Sequence, residues 1–287
     1  MKRKNIVVIE SETAPDDKYA IWKNGNEVKQ VIGDEWTHCA DLSEYSDVDG
    51  MKYGASNITK FPDNWRFAPR TKNNCSSMFS NCSLLKSLDL SFFDISKVTG
   101  IQGMLRDCSS LTSLNLSSFD TSNVTNMTSV FYSCDSLRSL DLSSFDTSKV
   151  IYMLGMFERC RLLTSLDLSS FDTGNVTNIA NMFYYCDSLE SLDFSNSDMS
   201  KVTDSYKIFY KCSKLQTITK GSFKNLKVSL DLSPCVVLSK QSVVDLFDSI
   251  GTANSGAKIT LTSAVYSQLS EDEIKVATDK GWTVASL

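Results

Sequence analysis

The chain has 287 residues, with 34 acidic against 29 basic side chains and a formal net charge of −5 at pH 7. This mildly acidic balance argues against a nucleic-acid partner, which would require a basic face. No apolar run reaches the length of about 18 residues that a membrane span needs, so membrane insertion is not expected.

Residues 1–60 predict a small β element. Ile6 to Ile9 has the composition of a strand, and two further strand-like stretches, Tyr19 to Lys23 and Glu27 to Ile32, flank the hairpin signal Asn24-Gly25-Asn26. Two roles remain open for this segment. It would either cap the first coil of the repeats that follow or act as an attachment module that docks the chain to a larger assembly.

Residues 61–235 are dominated by a repeat with a fixed period of 26 residues. Each copy has too few apolar residues to bury them alone, so successive copies must stack their leucines into one column. The segment Leu137-x-x-Leu140-x-Leu142 has the leucine spacing of a leucine-rich repeat and the alternation of a short strand. The predicted fold is an α/β repeat, a leucine-rich-repeat solenoid of six 26-residue coils. The cysteines that mark these coils are Cys82, Cys108, Cys134, Cys160, Cys186 and Cys212.

Residues 236–287 predict an α/β C-terminal cap. Ser270 and Glu273 have the spacing of a capping box, which predicts a helix that begins there and ends before Gly281. The other predicted elements are a helix from about Lys240 to Ile250, capped by Ser239, and strands at Lys258 to Leu261 and Trp282 to Val284.

The repeat motif is clearest from Met156 to Asn178, where Met-Phe-x-x-Cys-x-x-Leu is followed by Ser-Leu-Asp-Leu-Ser-Ser-Phe-Asp-Thr. This motif is specific, covers about half of the chain, and resembles the BspA-like leucine-rich repeats of bacterial surface proteins. The resemblance implies a non-enzymatic binding protein that is displayed externally. Some members of that family look like adhesins for host proteins, and related arrays occur in phage and prophage genes. The resemblance supplies no ligand.

The sequence is compatible with three functions. The leading prediction is non-catalytic, adhesin-like recognition of a protein or a cell-surface glycan. The alternative is a structural or receptor-binding component of a phage virion, in a tail or head appendage, with residues 1–60 docking to other virion proteins. The basic start, Met1-Lys-Arg-Lys, precedes an apolar run too short for a signal peptide, which favours this alternative. The third is an intracellular scaffold. The predicted location is a cell surface or a virion.

A ligand face is predicted on the strands, because residues between inward leucines point to solvent. Side-chain carboxylates and hydroxyls there would recognise a glycan or a protein. A solvated ladder without a ligand and calcium bound between aspartates are the alternatives left open. Tyrosines beside the core, including Tyr185 and Tyr210, would add partly exposed rings that stack on sugars. The candidate ligand-face residues are Asp89, Asn115, Asp141, Asp167, Asp193, Ser113, Ser139, Ser165, Tyr132 and Tyr184.

A second aspartate column precedes Thr-Ser in most copies and is predicted to cap turns, because an Asp side chain accepts hydrogen bonds from backbone N–H groups. The repeated phenylalanines are predicted to lie in the core. The second column consists of Asp94, Asp120, Asp146, Asp172 and Asp198.

The six repeat cysteines are predicted to be buried free thiols, because parallel side chains do not converge as a disulfide requires. Cys39, Cys75 and Cys235 lie off this column and receive no role. The single histidine, His38, is adjacent to Cys39, but adjacency does not supply the geometry of a nucleophile and its base. No enzyme activity, cofactor or metal site is expected.

Overall fold

The computed structural model describes residues 74–91 and 93–287, together with the backbone of three strands near the N-terminus. β1 (Val8–Glu10) is parallel to β2 (Ile21–Asn24), and β2 is antiparallel to β3 (Glu27–Gln30). The pairing of Asn24 with Glu27 confirms the predicted hairpin. The remaining residues before Asn74 lie outside the described part of the chain, and with them His38 and Cys39.

Short parallel strands join neighbouring copies of the repeat. β4 (Ser87–Asp89) pairs with β5 (Ser113–Asn115), while β6 (Ser165–Asp167), β7 (Ser191–Asp193) and β8 (Thr217–Ile218) form a second sheet. The central residue of each three-residue strand is more buried than its neighbours. Their register joins positions 26 residues apart, so that equivalent side chains form columns.

The third copy departs from the expected uniform strands. Residues 139–141 form no strand, and the first sheet ends at β5 while the second begins at β6. The central leucines of the second and third copies, Leu114 and Leu140, are only partly buried, whereas Leu88 and Leu166 are fully buried. Because the buried leucines hold the strands against the core, looser packing at these two positions accompanies the opening of the strand ladder.

A second ladder continues through this gap. Single parallel bridges connect Asn74, Gly100, Asn126, Tyr152, Asn178 and Asp204 in turn. After each bridge, four alternate backbone N–H groups donate to carbonyls of the next copy. In the first pair of copies the donors are Cys75, Ser77, Phe79 and Asn81, at 2.7 to 2.9 Å from their acceptors.

Two residues of each copy in this second ladder have left-handed backbone. In the third copy they are Ser129, with φ of 55°, and Ser133, with φ of 53°. This conformation costs a residue other than glycine roughly 1–2 kcal/mol. Here it directs the N–H of both residues onto the fourth copy, at the carbonyls of Leu154 and Glu158. The hydrogen bonds between copies therefore offset the backbone strain.

The core consists of stacked columns, as predicted. Phe131, Phe157, Phe183 and Phe209 are buried, with successive ring centroids 5.6, 5.9 and 5.5 Å apart. The described cysteines are all free and buried, which confirms the prediction for the six repeat positions. Their thiols also link copies, since Sγ of Cys160 donates to the carbonyl of Phe131 at 3.2 Å.

The C-terminal segment continues the parallel pairing. β9 (Leu230–Asp231), β10 (Lys258–Leu261) and β11 (Thr283–Ser286) form one sheet, in the order β11-β10-β9. The helices are α1 (Lys240–Ser249), α2 (Ser263–Tyr266) and α3 (Glu271–Thr278). The helix caps at Ser239 and at Ser270 with Glu273 are confirmed, whereas α2 was not predicted. The described chain is thus a repeat protein with small parallel sheets and few helices.

Candidate functional site

The aspartates of the predicted ligand face accept a hydrogen bond from their own turns through one carboxylate oxygen. Asp89, Asp141 and Asp167 are exposed, as are Asn115 and the serines Ser113, Ser139 and Ser165, while Asp193 is half-buried. Oδ1 of Asp141 accepts the N–H of Ser143 at 3.0 Å, and the other members accept in the same way from Ser91, Ser117, Ser169 and Ser195. The hydrogen bond from the backbone of Ser143 lowers the pKa of Asp141.

The register of the strands brings only part of this column together. Asp89 lies beside Asn115, and Asp167 lies beside Asp193. Asp141 belongs to the copy that forms no strand. The column is therefore a series of capped turns with a break at its centre.

The second aspartate column caps turns as predicted, and a third column does the same. Oδ1 of Asp146 accepts the N–H of Ser148 at 2.9 Å, and Oδ1 of Asp172 accepts that of Gly174 at 2.9 Å. In the third column, Oδ1 of Asn126 accepts the N–H of Thr128 at 2.9 Å. Each copy thus uses Asp or Asn side chains to hold its backbone, which is a structural role.

The described thiols are buried, and the described residues contain no cluster of metal-ligating His, Cys, Asp or Glu side chains. No three His, Cys, Asp or Glu side chains in residues 74–91 and 93–287 lie close enough together to hold a metal ion. Burial raises the pKa of Cys75 and Cys212 to about 12. Both thiols are therefore protonated near neutral pH, and a protonated thiol is a poor nucleophile.

The predicted tyrosines come together across copies. The rings of Tyr184 and Tyr210, one repeat apart, stack with centroids 4.9 Å apart and planes 17° from parallel. Tyr185 meets both rings edge-on, at 4.8 and 5.6 Å. All three are half-buried, as is Tyr132. The ladder positions them, because the N–H of Tyr185 donates to the carbonyl of Tyr210 at 2.8 Å.

Cationic side chains extend this cluster along the repeats. The guanidinium of Arg106 lies 4.4 Å from the centroid of Tyr132, and that of Arg159 lies 5.9 Å from Tyr132 and 5.7 Å from Tyr185. Contacts at these distances are attractive, because the ring face carries negative charge. We call this row the tyrosine edge; it comprises Arg106, Tyr132, Arg159, Arg161, Tyr184, Tyr185, Lys207, Tyr210 and Lys211.

The charges of the tyrosine edge are distributed unevenly. Arg161 lies between Asp135 and Asp187, at 3.1 and 3.2 Å, and Arg106 pairs with Asp107 at 3.2 Å. Lys207 and Lys211 make no ion pair with a described residue. Nε of Arg159 is buried without a hydrogen-bond partner among the described residues, and the positive charge of this guanidinium acts on the carboxyl groups of Asp135 and Glu158.

The cations of the tyrosine edge are what sequence reasoning missed, although a signal for them exists. The two positions before each repeat cysteine change from copy to copy, whereas the Ser-Leu-Asp of the strand is nearly constant. Seven of the twelve residues at these positions belong to the tyrosine edge: Arg106, Tyr132, Arg159, Tyr184, Tyr185, Tyr210 and Lys211. Because these side chains vary while the core columns stay regular, the core columns do not dictate them, and they are available for recognition.

No helix in the described part of the chain is long and apolar enough to cross a membrane. A family model described as "Mycoplasma protein of unknown function, DUF285" matches the chain three times, over residues 26–137, 73–166 and 109–223. The second and third matches lie within the repeats, whereas the first begins before them. No curated protein and no solved structure matches the chain.

Proposed function

From the premise that this chain belongs to the DUF285 family, whose model spans residues 26–223, we propose that it is a non-catalytic recognition module. The module acts at a surface, in the manner of an adhesin, and its ligand is a protein or a glycan. The repeats are BspA-like and form a leucine-rich-repeat solenoid. Residues 1–60 are its N-terminal cap or attachment module, residues 61–235 the solenoid, and residues 236–287 the C-terminal cap.

The tyrosine edge is the observation that carries this proposal. It gathers half-buried tyrosines and cations from adjacent copies at positions that vary along the repeat. Tyr and Arg are enriched among the residues that dominate binding energy at interfaces. Rings already held by stacking lose little conformational freedom when a ligand binds, which favours affinity. The aspartate columns support the turns, and the second ladder positions the edge.

Binding by a labelled chain tests the edge directly. The full chain is applied to arrayed glycans and to separated surface proteins, and bound label is measured for wild type and variants. Tyr132→Ala removes a ring from the edge, and we expect it to weaken binding about tenfold, as losing one interface aromatic commonly does. Tyr152→Ala removes an exposed tyrosine outside the edge and should bind like wild type. Equal binding by all three proteins would contradict the assignment of the edge.

The cellular location is tested by fractionation. Mass spectrometry is applied to washed cell envelope, purified virions and cytosol. Recovery in the envelope supports the adhesin. Stoichiometric recovery in virions makes the chain a particle component, with residues 1–60 as the docking segment. Recovery in cytosol alone contradicts both surface functions and leaves the scaffold.

A further inference from the structure

Positive charge is concentrated in one part of this acidic chain. Residues 201–227 contain seven lysines and a single acidic residue, Asp204, whereas the whole chain carries a net charge of −5. Asp204 is already engaged, since its Oδ1 accepts the N–H of Tyr206 at 3.0 Å and its Oδ2 accepts from Asn178 at 3.2 Å. The sixth copy therefore presents cationic groups without a competing free carboxylate of its own.

Two of these lysines lie on the tyrosine cluster. Nζ of Lys207 is 5.1 Å from the ring centroid of Tyr206 and 5.3 Å from that of Tyr210. Nζ of Lys211 is 5.8 Å from the centroid of Tyr210. Both lysines are exposed, and Tyr206 is 63% exposed. We call this group the sixth-repeat patch; it comprises Tyr184, Tyr185, Tyr206, Lys207, Tyr210 and Lys211.

The patch differs from the earlier part of the edge in its unpaired charge. Arg106 forms an ion pair with Asp107, the next residue. Arg161 forms ion pairs with Asp135 and Asp187, which belong to the two adjacent copies. No carboxylate of the described residues pairs with Lys207 or Lys211. The ammonium groups of Lys207 and Lys211 lie beside tyrosine rings and are therefore available to pair with carboxylates of a partner.

The ring geometry indicates which acidic partner fits. Tyr184 and Tyr210 each place one ring face in their mutual stack, and Tyr185 meets both rings edge-on, so these three half-buried rings offer less open face than the exposed ring of Tyr206. A single-stranded nucleic acid needs open ring faces on which its bases stack. Tyrosine edges and hydroxyls instead provide hydrogen bonds and apolar contact for a peptide, while the lysines pair with its carboxylates.

We propose that the sixth-repeat patch binds an acidic segment of a protein partner. This inference rests on the proposed recognition function and adds the chemistry of the partner. Tyr206 and Tyr210 contact the segment, and Lys207 and Lys211 neutralise its carboxylates. Complementary charge of this kind accelerates association and depends on ionic strength.

The test uses the full chain and a fluorescein-labelled oligo-glutamate peptide, with binding measured by anisotropy at low and physiological salt. Oligodeoxythymidylate and an alginate oligosaccharide of similar charge are the comparison probes. We expect saturable binding of the peptide that weakens with salt and exceeds that of both comparison probes. Absence of peptide binding at low salt, or equal binding of a comparison probe, overturns the proposal.

Charge reversal supplies the matched control. Lys207→Glu with Lys211→Glu should weaken peptide binding by more than about tenfold, since like charges now oppose each other. Lys86→Glu with Lys97→Glu makes the same change in net charge at exposed lysines of the first copy and should stay within about twofold. Circular dichroism melting verifies that both variants are folded. Equal loss in both variants overturns the proposal.

Tyr206→Ala tests whether the tyrosine ring contributes to peptide binding in addition to the charge of the lysines. Its ring is mostly exposed, so the variant should fold, and we expect it to weaken peptide binding several-fold. Unchanged affinity would overturn the assignment of the ring. A chain that fails to bind the peptide but binds surface protein contradicts only this inference. A chain that binds the peptide but recognises no surface protein or glycan contradicts only the proposed function.

Discussion

At the residue scale, the fifth copy departs from the repeat at two core positions, and the two changes partly compensate each other in volume. In the fifth copy, Phe194 stands where the fourth copy has Leu168, and Ser197 stands where it has Phe171. The ring of Phe194 packs against Phe171 at 6.4 Å and against Phe223 at 5.8 Å. The larger side chain has thus moved within the copy, and a buried serine remains in its former place.

Ser197→Ala should stabilise the protein by about 1 kcal/mol, because Oγ of Ser197 is buried and has no hydrogen-bond partner among the described residues. Ser222→Ala is the matched control. Ser222 is equally buried, but its Oγ accepts the N–H of Phe194 at 3.1 Å, so its removal should destabilise by about 1–3 kcal/mol. Urea unfolding measures both, and the same sign for the two variants would contradict the argument.

The buried thiols predict a loss of stability at alkaline pH. Burial raises the pKa of Cys212 from 9.0 to about 12 in the folded protein. The folded state therefore retains a proton that the unfolded state releases between these values. The contribution of Cys212 is fully present below pH 9.0 and is lost as pH rises toward about 12, by up to about 1.4 kcal/mol per pH unit.

The measurement compares wild type with Cys212→Ala by urea unfolding from pH 8 to the alkaline limit of reversible folding. The difference in stability between the two proteins should shrink as pH rises, because only wild type has this thiol to ionise. Alkaline groups far from Cys212 titrate alike in both proteins and cancel, whereas the Cys212 charge also acts on the thiols of Cys186 and Cys235. A difference that is independent of pH would contradict the assignment.

At the scale of elements, the repeats and the C-terminal segment are stabilised by different kinds of hydrogen bond. Between repeats, alternate N–H groups and left-handed residues such as Ser129 and Ser133 join one copy to the next. In the C-terminal segment, side chains terminate the helices. Nζ of Lys280 donates to the carbonyls of Phe247, Asp248 and Ile250 at 2.7, 2.8 and 3.1 Å, where α1 ends.

Lys280→Met should therefore destabilise the protein by about 1–2 kcal/mol, since it removes a cation and three donors from the negative end of α1. Methionine keeps most of the stem, which limits the loss of packing. Lys258→Met alters an exposed lysine in β10 and should change the thermal midpoint little. Comparable losses in both variants would show that Lys280 acts only as a surface charge.

At the scale of the whole molecule, the fixed period of 26 residues means that only deletions of complete copies keep the columns in register. Deleting one complete copy, residues 135–160, joins Cys134 to Arg161 and restores the spacing of every column. We expect this variant to fold, with a lower thermal midpoint, because each copy contacts only its neighbours. Deleting half a copy, residues 135–147, moves every later column out of register and should abolish cooperative unfolding. Circular dichroism distinguishes the two outcomes.

Much of this organisation could be read from the sequence, because periodicity reports contacts between equivalent residues. The cysteine and phenylalanine columns and the helix caps at Ser239 and Ser270 were predicted correctly. The second ladder was not, because left-handed residues such as Ser133 and Arg159 carry no composition signal of their own. Their conformation follows from hydrogen bonds to the next copy, which no local pattern encodes.

The candidate site was predicted in part for the same reason. Tyr132 and Tyr184 were identified beside the core, and the structure adds the ring contacts and the cations around them. The strand aspartates were predicted to face a ligand, and that stays a prediction; the structure adds that Asp141 and its equivalents accept a backbone hydrogen bond within their own turns. The sequence predicts that such a side chain lies near a strand end, but its hydrogen bond within the turn depends on the backbone geometry.

The gap at residues 139–141 has a mechanical consequence. Copies on either side of it are joined by the second ladder, whereas the copies of the second sheet are joined by both. A pulling force applied to the two ends should therefore separate the array first at its third copy. In single-molecule stretching, the first contacts to break would be those around the third copy, and β6, β7 and β8 would stay folded as one unit.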